Sequence, residues 1–589
     1  MKITTRIRKN LLNHWEIWLS GFLGAVIFLI IYGPKVLIPS NVDYLMIGGD
    51  LSQHYLGWEL YRHSPLRLFI GKTNALAYPY STSVIFTDSI PLFSVIFKLI
   101  IPDKCGPFQF FGIWSITCFI LQGIFAARLI KRRVSANGIT GSVTVLILSL
   151  LFILCPFFIK RIFWHSALAG QFIILMSLDL LDRTISFSRV QLVVHWIFIG
   201  ILCSFIHLYF LAMCGAILMA SCLYRFMQTY KSVSIPKAMI DFITPILGFI
   251  FFAWYSIFVL GGFDSNMAGG APGLGYYSFN LNGFINADEN YSRILPSLSY
   301  YEAGQYEGNA YLGMGVLILV ALSIIILIVN ITKTKKITSK PSVIDAPLNP
   351  FNRSYLISVS LLVIALLLIS ASNELTIGNH LIYNIPLGHF IEKIYSPFRS
   401  SGRLIWPVGY IIILGAIRIV FSNVPSGNTS IRLTNIYKYA VVTIAVTASI
   451  LQIYDLSGKL SSIHNDFANL GTYTNPIATD SDLLPLLVSE LTIQDDQLHL
   501  VFFNKDSLSQ EELYAFADFA VSNNMTINDF YFARFFKNRG KEIALEYAKS
   551  GRTDCLYVCK ESELNKYEAL PLHFYKENGF VYAITKRIN

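Results

Sequence analysis

Long apolar runs separated by short, often basic, polar stretches dominate the first three quarters of the chain. Runs long enough to cross a bilayer, roughly 17–25 residues each, fall at 15–34, 107–130, 141–157, 165–184, 190–205, 206–226, 238–260, 309–331, 354–371, 404–421 and 437–455. The pattern predicts a mainly α, polytopic membrane helix bundle of about 11 spans. The two halves of 190–226 are short for full crossings. Pro91 to Ile101 is too short to cross alone and predicts an interfacial or re-entrant helix. From about 480 the pattern changes to short strands and helices at His499–Phe503, Gln510–Asn523, Lys541–Ser550, Cys555–Lys560 and Phe574–Thr585. This predicts a transmembrane domain over 1–455, a linker over 456–479 and a small soluble α/β domain over 480–589.

Composition agrees with a membrane protein. Of 589 residues, 54% are hydrophobic and 14% charged, against about 25% charged in soluble proteins. The net charge of +10 sits in short loops, which excludes a nucleic-acid footprint. Lys2, Arg6, Arg8 and Lys9 precede the first span and predict a cytoplasmic N-terminus with a retained anchor. Lys131-Arg132-Arg133, Arg183 with Arg189, Arg225 with Lys231 and Lys237, and Lys333-Lys335-Lys336 then fall on the same side. Lys160 and Arg161 break the rule. The loops 35–106, 261–308 and 372–403, with the C-terminal domain, are expected on the outer face of a bacterial cell membrane. Six cysteines sit in or beside apolar runs as small hydrophobes. Cys555 and Cys559, four residues apart on a predicted strand, are too distant to bridge and are expected as free thiols.

Candidate chemistry lies in the outer loops. Gly48-Gly49-Asp50-Leu51-Ser52-Gln53-His54 places a carboxylate, an amide and an imidazole soon after the first span, where glycines permit a tight turn that aims Asp50. Leu51 to Phe69 has a near-helical apolar period, which predicts an amphipathic helix on the membrane surface. Asp88, before Ser89 and Pro91, fits either a helix N-cap or a site residue. Gln305 and Glu307 lie among glycines at a span entrance. Arg399 and Arg403 stand at the mouth of another span, where guanidinium forks suit phosphate oxygens or lipid headgroups. The loop around Met267-Ala268-Gly269-Gly270-Ala271-Pro272-Gly273 is rich in Gly, Asn and Tyr, which suits sugars as well as any surface loop.

Five motifs together, GGDLSQHYLGWE, FTDSIPL, AGGAPGLGYYSFNLN, GQYEGNAYLG and SPFRSSGRLIWP, resemble a group of bacterial multi-pass proteins of unknown function. That group looks like part of the GT-C class of polyprenyl-phosphate-sugar-dependent glycosyltransferases. The resemblance implies a sugar donor carried on a polyprenyl phosphate and a glycan, lipid or protein acceptor on the outer face, with membrane lipids as surroundings. It also implies an acidic residue in the first outer loop, where Asp50 stands. No Asp-x-Asp or Glu-x-Asp pair accompanies it, so dependence on a divalent metal is left open and no other cofactor is implied.

On this reading Asp50 is a general base and Arg399 and Arg403 neutralise the departing lipid phosphate, giving inversion at the anomeric carbon. Gln53, His54, Asp88, Gln305 and Glu307 bind substrate. Alternatives are a transporter or flippase of lipid-linked glycan, a surface polysaccharide polymerase or ligase, and a scaffold. A transporter calls for repeats and mid-span charges. No repeat is visible, and His165 and His207 are the only modest mid-span candidates.

Overall fold

The protein is described from a computed structural model, which covers residues 14–587 except 103–104, 136–137, 265–266, 269–272, 335–351, 389–391, 394, 396–397, 423–430, 495–496, 533–534 and 537–538. Lys2, Arg6, Arg8, Lys9, Lys335, Lys336 and the Gly269–Pro272 stretch lie outside the described residues.

Among the described residues nine helices are long and apolar enough to cross a membrane: Trp15–Tyr32, Phe111–Lys131, Arg189–Ile206, Tyr209–Thr229, Ile235–Val259, Met314–Thr332, Arg353–Ala371, Ser401–Phe421 and Tyr439–Ala468. They make this a membrane protein, and both short halves of 190–226 form full-length helices. Two expected spans are shorter. Gly138–Ile153 stops ahead of a new turn opened by Pro156, and Phe172–Arg183 follows a 3-10 turn at Ser166–Ala169. Pro91–Ile100 forms a ten-residue helix.

The first long loop departs from expectation. The helix Gly49–Arg62 does not lie on a surface, because Leu51 through Arg62 are all buried. Its second face is covered by the C-terminal domain. Gln53 Nε2 donates to the Tyr531 carbonyl at 3.0 Å, and Tyr78 N–H and Ile527 N–H bond the Ile527 and Ala75 carbonyls at 2.9 and 2.8 Å. The Tyr78 ring stacks on His499 at 3.8 Å. An apolar period therefore reports burial here, with protein supplying the cover that lipid was expected to supply.

The last long helix runs on to Ala468, so the first part of the expected linker is helical. Beyond it, Leu498–Phe502, Met525–Ile527, Cys555–Lys560, His573–Glu577 and Phe580–Ile584 form one five-stranded sheet. The first three run parallel, and the last two form an antiparallel hairpin on the Cys555–Lys560 strand. The hairpin turns at Asn578-Gly579, with φ 50° and 79°, the left-handed pair that a two-residue turn requires. Helices Gln510–Ser522 and Arg539–Ser550 pack on the sheet. Cys555 and Cys559 share one strand and are free thiols.

Candidate active site

Asp50 sits in the first turn of its helix, behind Gly48 and Gly49 at φ 99° and 64°. Ser52 fixes that turn, its hydroxyl accepting from Gly48 N–H at 2.9 Å and donating to the Leu45 carbonyl at 2.8 Å. The helix N-terminus favours a carboxylate at this position.

The partner of Asp50 comes from a segment that sequence reasoning did not place in the site. His165 Nδ1 stands 2.8 Å from Asp50 Oδ2. The turn that carries it includes Phe163 at φ 55°, a backbone state that bulky residues avoid. The Phe163 ring is wedged against Tyr32, Tyr44 and Phe467 at 5.1, 5.1 and 5.2 Å. That packing holds the conformation and, with it, the direction of His165.

Glu307 lies on the far side of the imidazole. Its Oε1 is 3.3 Å from His165 Nε2, and its Oε2 accepts from Arg161 Nη1 at 2.8 Å and Arg403 Nε at 2.9 Å. Arg161 also donates to the Glu307 carbonyl at 2.9 Å. The turn Ala303–Gly308 reaches Arg403 because Gly308 and Gly402 touch backbone to backbone. A Cβ on Gly402 would stand 2.7 Å from the Gly308 Cα.

Burial alone would raise the Glu307 carboxyl, but Arg403 and Arg161 hold it well below its ordinary value. Asp50 is also lowered, because His165, His54 and Arg403 outweigh the cost of its burial. Burial pushes the His54 imidazole down to about 4, so it is neutral at pH 7.

A carboxylate only accepts, so the 2.8 Å contact with Asp50 puts a proton on His165 Nδ1. Nε2 lies between a donor, Arg403 Nη2 at 3.1 Å, and an acceptor, Glu307 Oε1 at 3.3 Å. Asp50 spends one oxygen on His165, and no other hydrogen bond to its carboxylate is seen among the described residues. Its side chain is 32% exposed while that of Glu307 is 5% exposed. The cluster is thus a buried ion-pair network ending in one accessible carboxylate oxygen.

The other predicted residues divide. Arg403 belongs to the network, with Nη1 unbonded among the described residues, and lies 5.3 Å over the Tyr209 ring. Tyr209 OH accepts from Ser400 N–H at 2.7 Å. Arg399 is exposed, bonds Tyr277 OH and lies 4.7 Å over that ring. Asp88 does not cap the Pro91–Ile100 helix, whose N-cap position is Ile90. Its carboxylate faces His207 at 3.5 Å. Gln53 ties the helix to the C-terminal domain.

Gln305 is buried away from the network and saturated. It accepts from Asn280 at 2.9 Å and donates to Ser278 and Thr376 at 2.9 Å each. Its amide locks the loops together rather than facing Asp50. Among the described residues no three of His, Cys, Asp and Glu gather into a group that could hold a metal ion.

Residues 21–457 match the domain of unknown function DUF6311, and residues 492–585 match the DUF6311 C-terminal domain. The chain belongs to the DUF6311 family. No curated protein matches it. Solved structures similar to this DUF6311 chain include the archaeal oligosaccharyltransferase AglB from Archaeoglobus fulgidus, in complex with an inhibitory peptide and a dolichol-phosphate. It is 9% identical with a TM-score of 0.42, over 98% of this chain and 75% of that one. A second is the Archaeoglobus fulgidus oligosaccharyltransferase tethered with an acceptor peptide, 9% identical with a TM-score of 0.46, over 94% and 70%. At this distance no residue role transfers to the DUF6311 chain, and its site stands on its own geometry.

Proposed function

We propose that the protein is a membrane glycosyltransferase that moves a sugar from a polyprenyl-phosphate carrier to a hydroxyl acceptor on the outer face of a bacterial cell membrane. The observation that supports this reading is the Asp50 carboxylate. It has one oxygen held by His165, one oxygen unspent, and two buried guanidiniums behind it.

In the proposed step the acceptor oxygen attacks the anomeric carbon. The bond from that carbon to the phosphate oxygen breaks, the phosphate leaves with the electron pair, and the acceptor proton passes to Asp50. A carboxylate held below its ordinary value is a weak base, but it is ionised throughout the neutral range. The acceptor hydroxyl becomes acidic only as its oxygen bonds to carbon, so a weak base suffices for a late transfer. Arg399, exposed and stacked on Tyr277, and the unspent Nη1 of Arg403 supply positive charge for the leaving phosphate. A divalent ion at Asp50 is the competing arrangement, and activity that disappears with EDTA would favour it.

The test is a transfer assay on the purified full chain with polyprenyl-phosphate sugars. The expected product has the anomeric configuration inverted, and Arg399→Ala raises the donor KM about tenfold, as for a lost charged hydrogen bond. Retained configuration contradicts a single direct displacement. Vectorial movement of the lipid-linked sugar without transfer favours a transporter.

A further inference from the structure

At the far end of the span Phe111–Lys131 from Asp50, the helix Phe172–Arg183 carries Asp179 and Asp182 in its last turns. Four guanidiniums gather on these two carboxylates. Arg128 Nη2 donates to Asp179 Oδ2 at 2.8 Å, and Arg132 meets Asp179 and stands 3.5 Å from Asp182. Arg133 forks onto Asp182 at 2.6 and 3.0 Å. Arg183 Nη1 comes only to 3.6 Å from Asp179 Oδ2, beyond hydrogen-bond reach. Glu16 and Asp241, the other carboxylates at this end among the described residues, have cations of their own in Lys131 and in Arg189 with Arg225. The cluster therefore holds twice as many positive as negative charges.

Those charges are layered. Asp179 and Asp182 are buried, whereas the side chains of Arg128, Arg132 and Arg183 are 34%, 25% and 38% exposed. The outward face of the cluster is thus cationic. Arg128 lies over the Phe125 ring at 5.7 Å and Arg183 over the Phe187 ring at 4.7 Å, cation–π contacts that fix the guanidinium planes. Phe187 also meets the His195 ring at 4.7 Å, on the span Arg189–Ile206. Val190 and Val194 of that span are exposed apolar residues, so the cationic face borders an apolar flank of the bundle.

Guanidinium forks suit phosphate oxygens, and basic pockets between membrane helices take phospholipid headgroups. Snorkelling alone spreads long cationic side chains toward water, whereas here three of them converge on one buried carboxylate and two lie flat on rings. We propose that Arg128, Arg132 and Arg183 form a binding site for the phosphate of an anionic phospholipid. Arg183 is its freest donor, since its guanidinium makes no hydrogen bond among the described residues. The acyl chains run along the apolar flank at Val190 and Val194. Free phosphate offers the same oxygens to the guanidiniums but makes no use of that flank. The buried carboxylates hold the helices together, and the outer guanidiniums hold the lipid.

The test is binding to the full chain in detergent by native mass spectrometry, with phosphatidylglycerol, phosphatidylcholine and inorganic phosphate as probes. Wild type is expected to bind phosphatidylglycerol about tenfold more tightly than phosphatidylcholine. Arg128→Gln and Arg183→Gln each bring that ratio near one, and Arg183→Gln does so without breaking a hydrogen bond that folding uses. Lys237→Gln, at an exposed basic residue of the same end, leaves the ratio unchanged. No preference in wild type, a preference that survives both arginine variants, or an equal loss in Lys237→Gln overturns the site. Inorganic phosphate that displaces phosphatidylglycerol at equal concentration gives the guanidiniums to the free anion and overturns the lipid assignment.

Discussion

The two ends of the span Phe111–Lys131, roughly 30 Å apart at 1.5 Å per residue, carry similar residues in different states. Beyond its C-terminal end, Asp182 accepts a fork from Arg133 at 2.6 and 3.0 Å and a Tyr355 hydroxyl at 2.7 Å. Its side chain is 0% exposed. Asp179 beside it is claimed by Arg128 and Arg132. Near the other end, Asp50 spends one oxygen on His165 and keeps about a third of its side chain exposed. Both clusters pay desolvation with ion pairs. Of these three carboxylates only Asp50 is partly exposed, against 3% for Asp179 and 0% for Asp182, so the first cluster is read as a staple and the second as a site.

Four predictions bear on that contrast, and the largest effect belongs to the staple. Arg133→Leu removes the forked partner of the buried Asp182, leaving it the Tyr355 hydroxyl and an Arg132 contact at 3.5 Å, and should cost about 3–5 kcal/mol, as broken buried pairs do. Thermal unfolding in detergent measures it, and a loss under about 1 kcal/mol would make the cluster an ornament of the membrane surface.

A smaller effect is tied to pH. The unfolded chain protonates His54 near 6.5 and the folded chain only near about 4. The stability contributed by the neutral buried ring is therefore complete above 6.5 and is lost as pH falls toward 4, by up to about 3 kcal/mol. His54→Gln should flatten that part of the melting profile. An unchanged acid slope would show that His54 is not the group responsible.

The smallest effect concerns the covering domain. Gln53→Ala removes one bond to the Tyr531 carbonyl and should cost about 1 kcal/mol, read as faster proteolytic release of the C-terminal domain. Unchanged cleavage would leave docking to Tyr78 and Ile527 alone.

What the sequence revealed follows from range. Apolar runs and the strand pattern of the C-terminal domain are local, so most helices and strands were legible. The Asn578-Gly579 turn was also local, but the run from Phe574 was read through it as one element. Asp50, Glu307 and Arg403 were legible because charges at span mouths demand a reason. His165 and Arg161 were not placed with them, since only the fold brings 161–165 against 307 and 403.

A signal was nevertheless present. Lys160 and Arg161 depart from the charge pattern expected of the other loops, and both are engaged in ion pairs. Lys160 meets Asp288 and Glu289 at 3.1 and 2.8 Å, and Arg161 meets Glu307. Gln305 was misleading for the converse reason. Its glycine-rich setting suits a ligand, yet its partners Ser278, Asn280 and Thr376 are supplied by the protein.

The contrast is tested most directly by Asp50→Asn, assayed for transfer and for thermal unfolding on the same preparation. Asparagine keeps the size and an acceptor for His165 Nδ1–H but cannot take a proton at neutral pH. The predicted result is a fall in kcat of roughly 10²–10⁴, the range that general-base catalysis supplies, with the donor KM and the melting temperature little changed. An unchanged kcat, or a collapse in melting temperature like that expected for Arg133→Leu, would make Asp50 a second staple and contradict its assignment as the base.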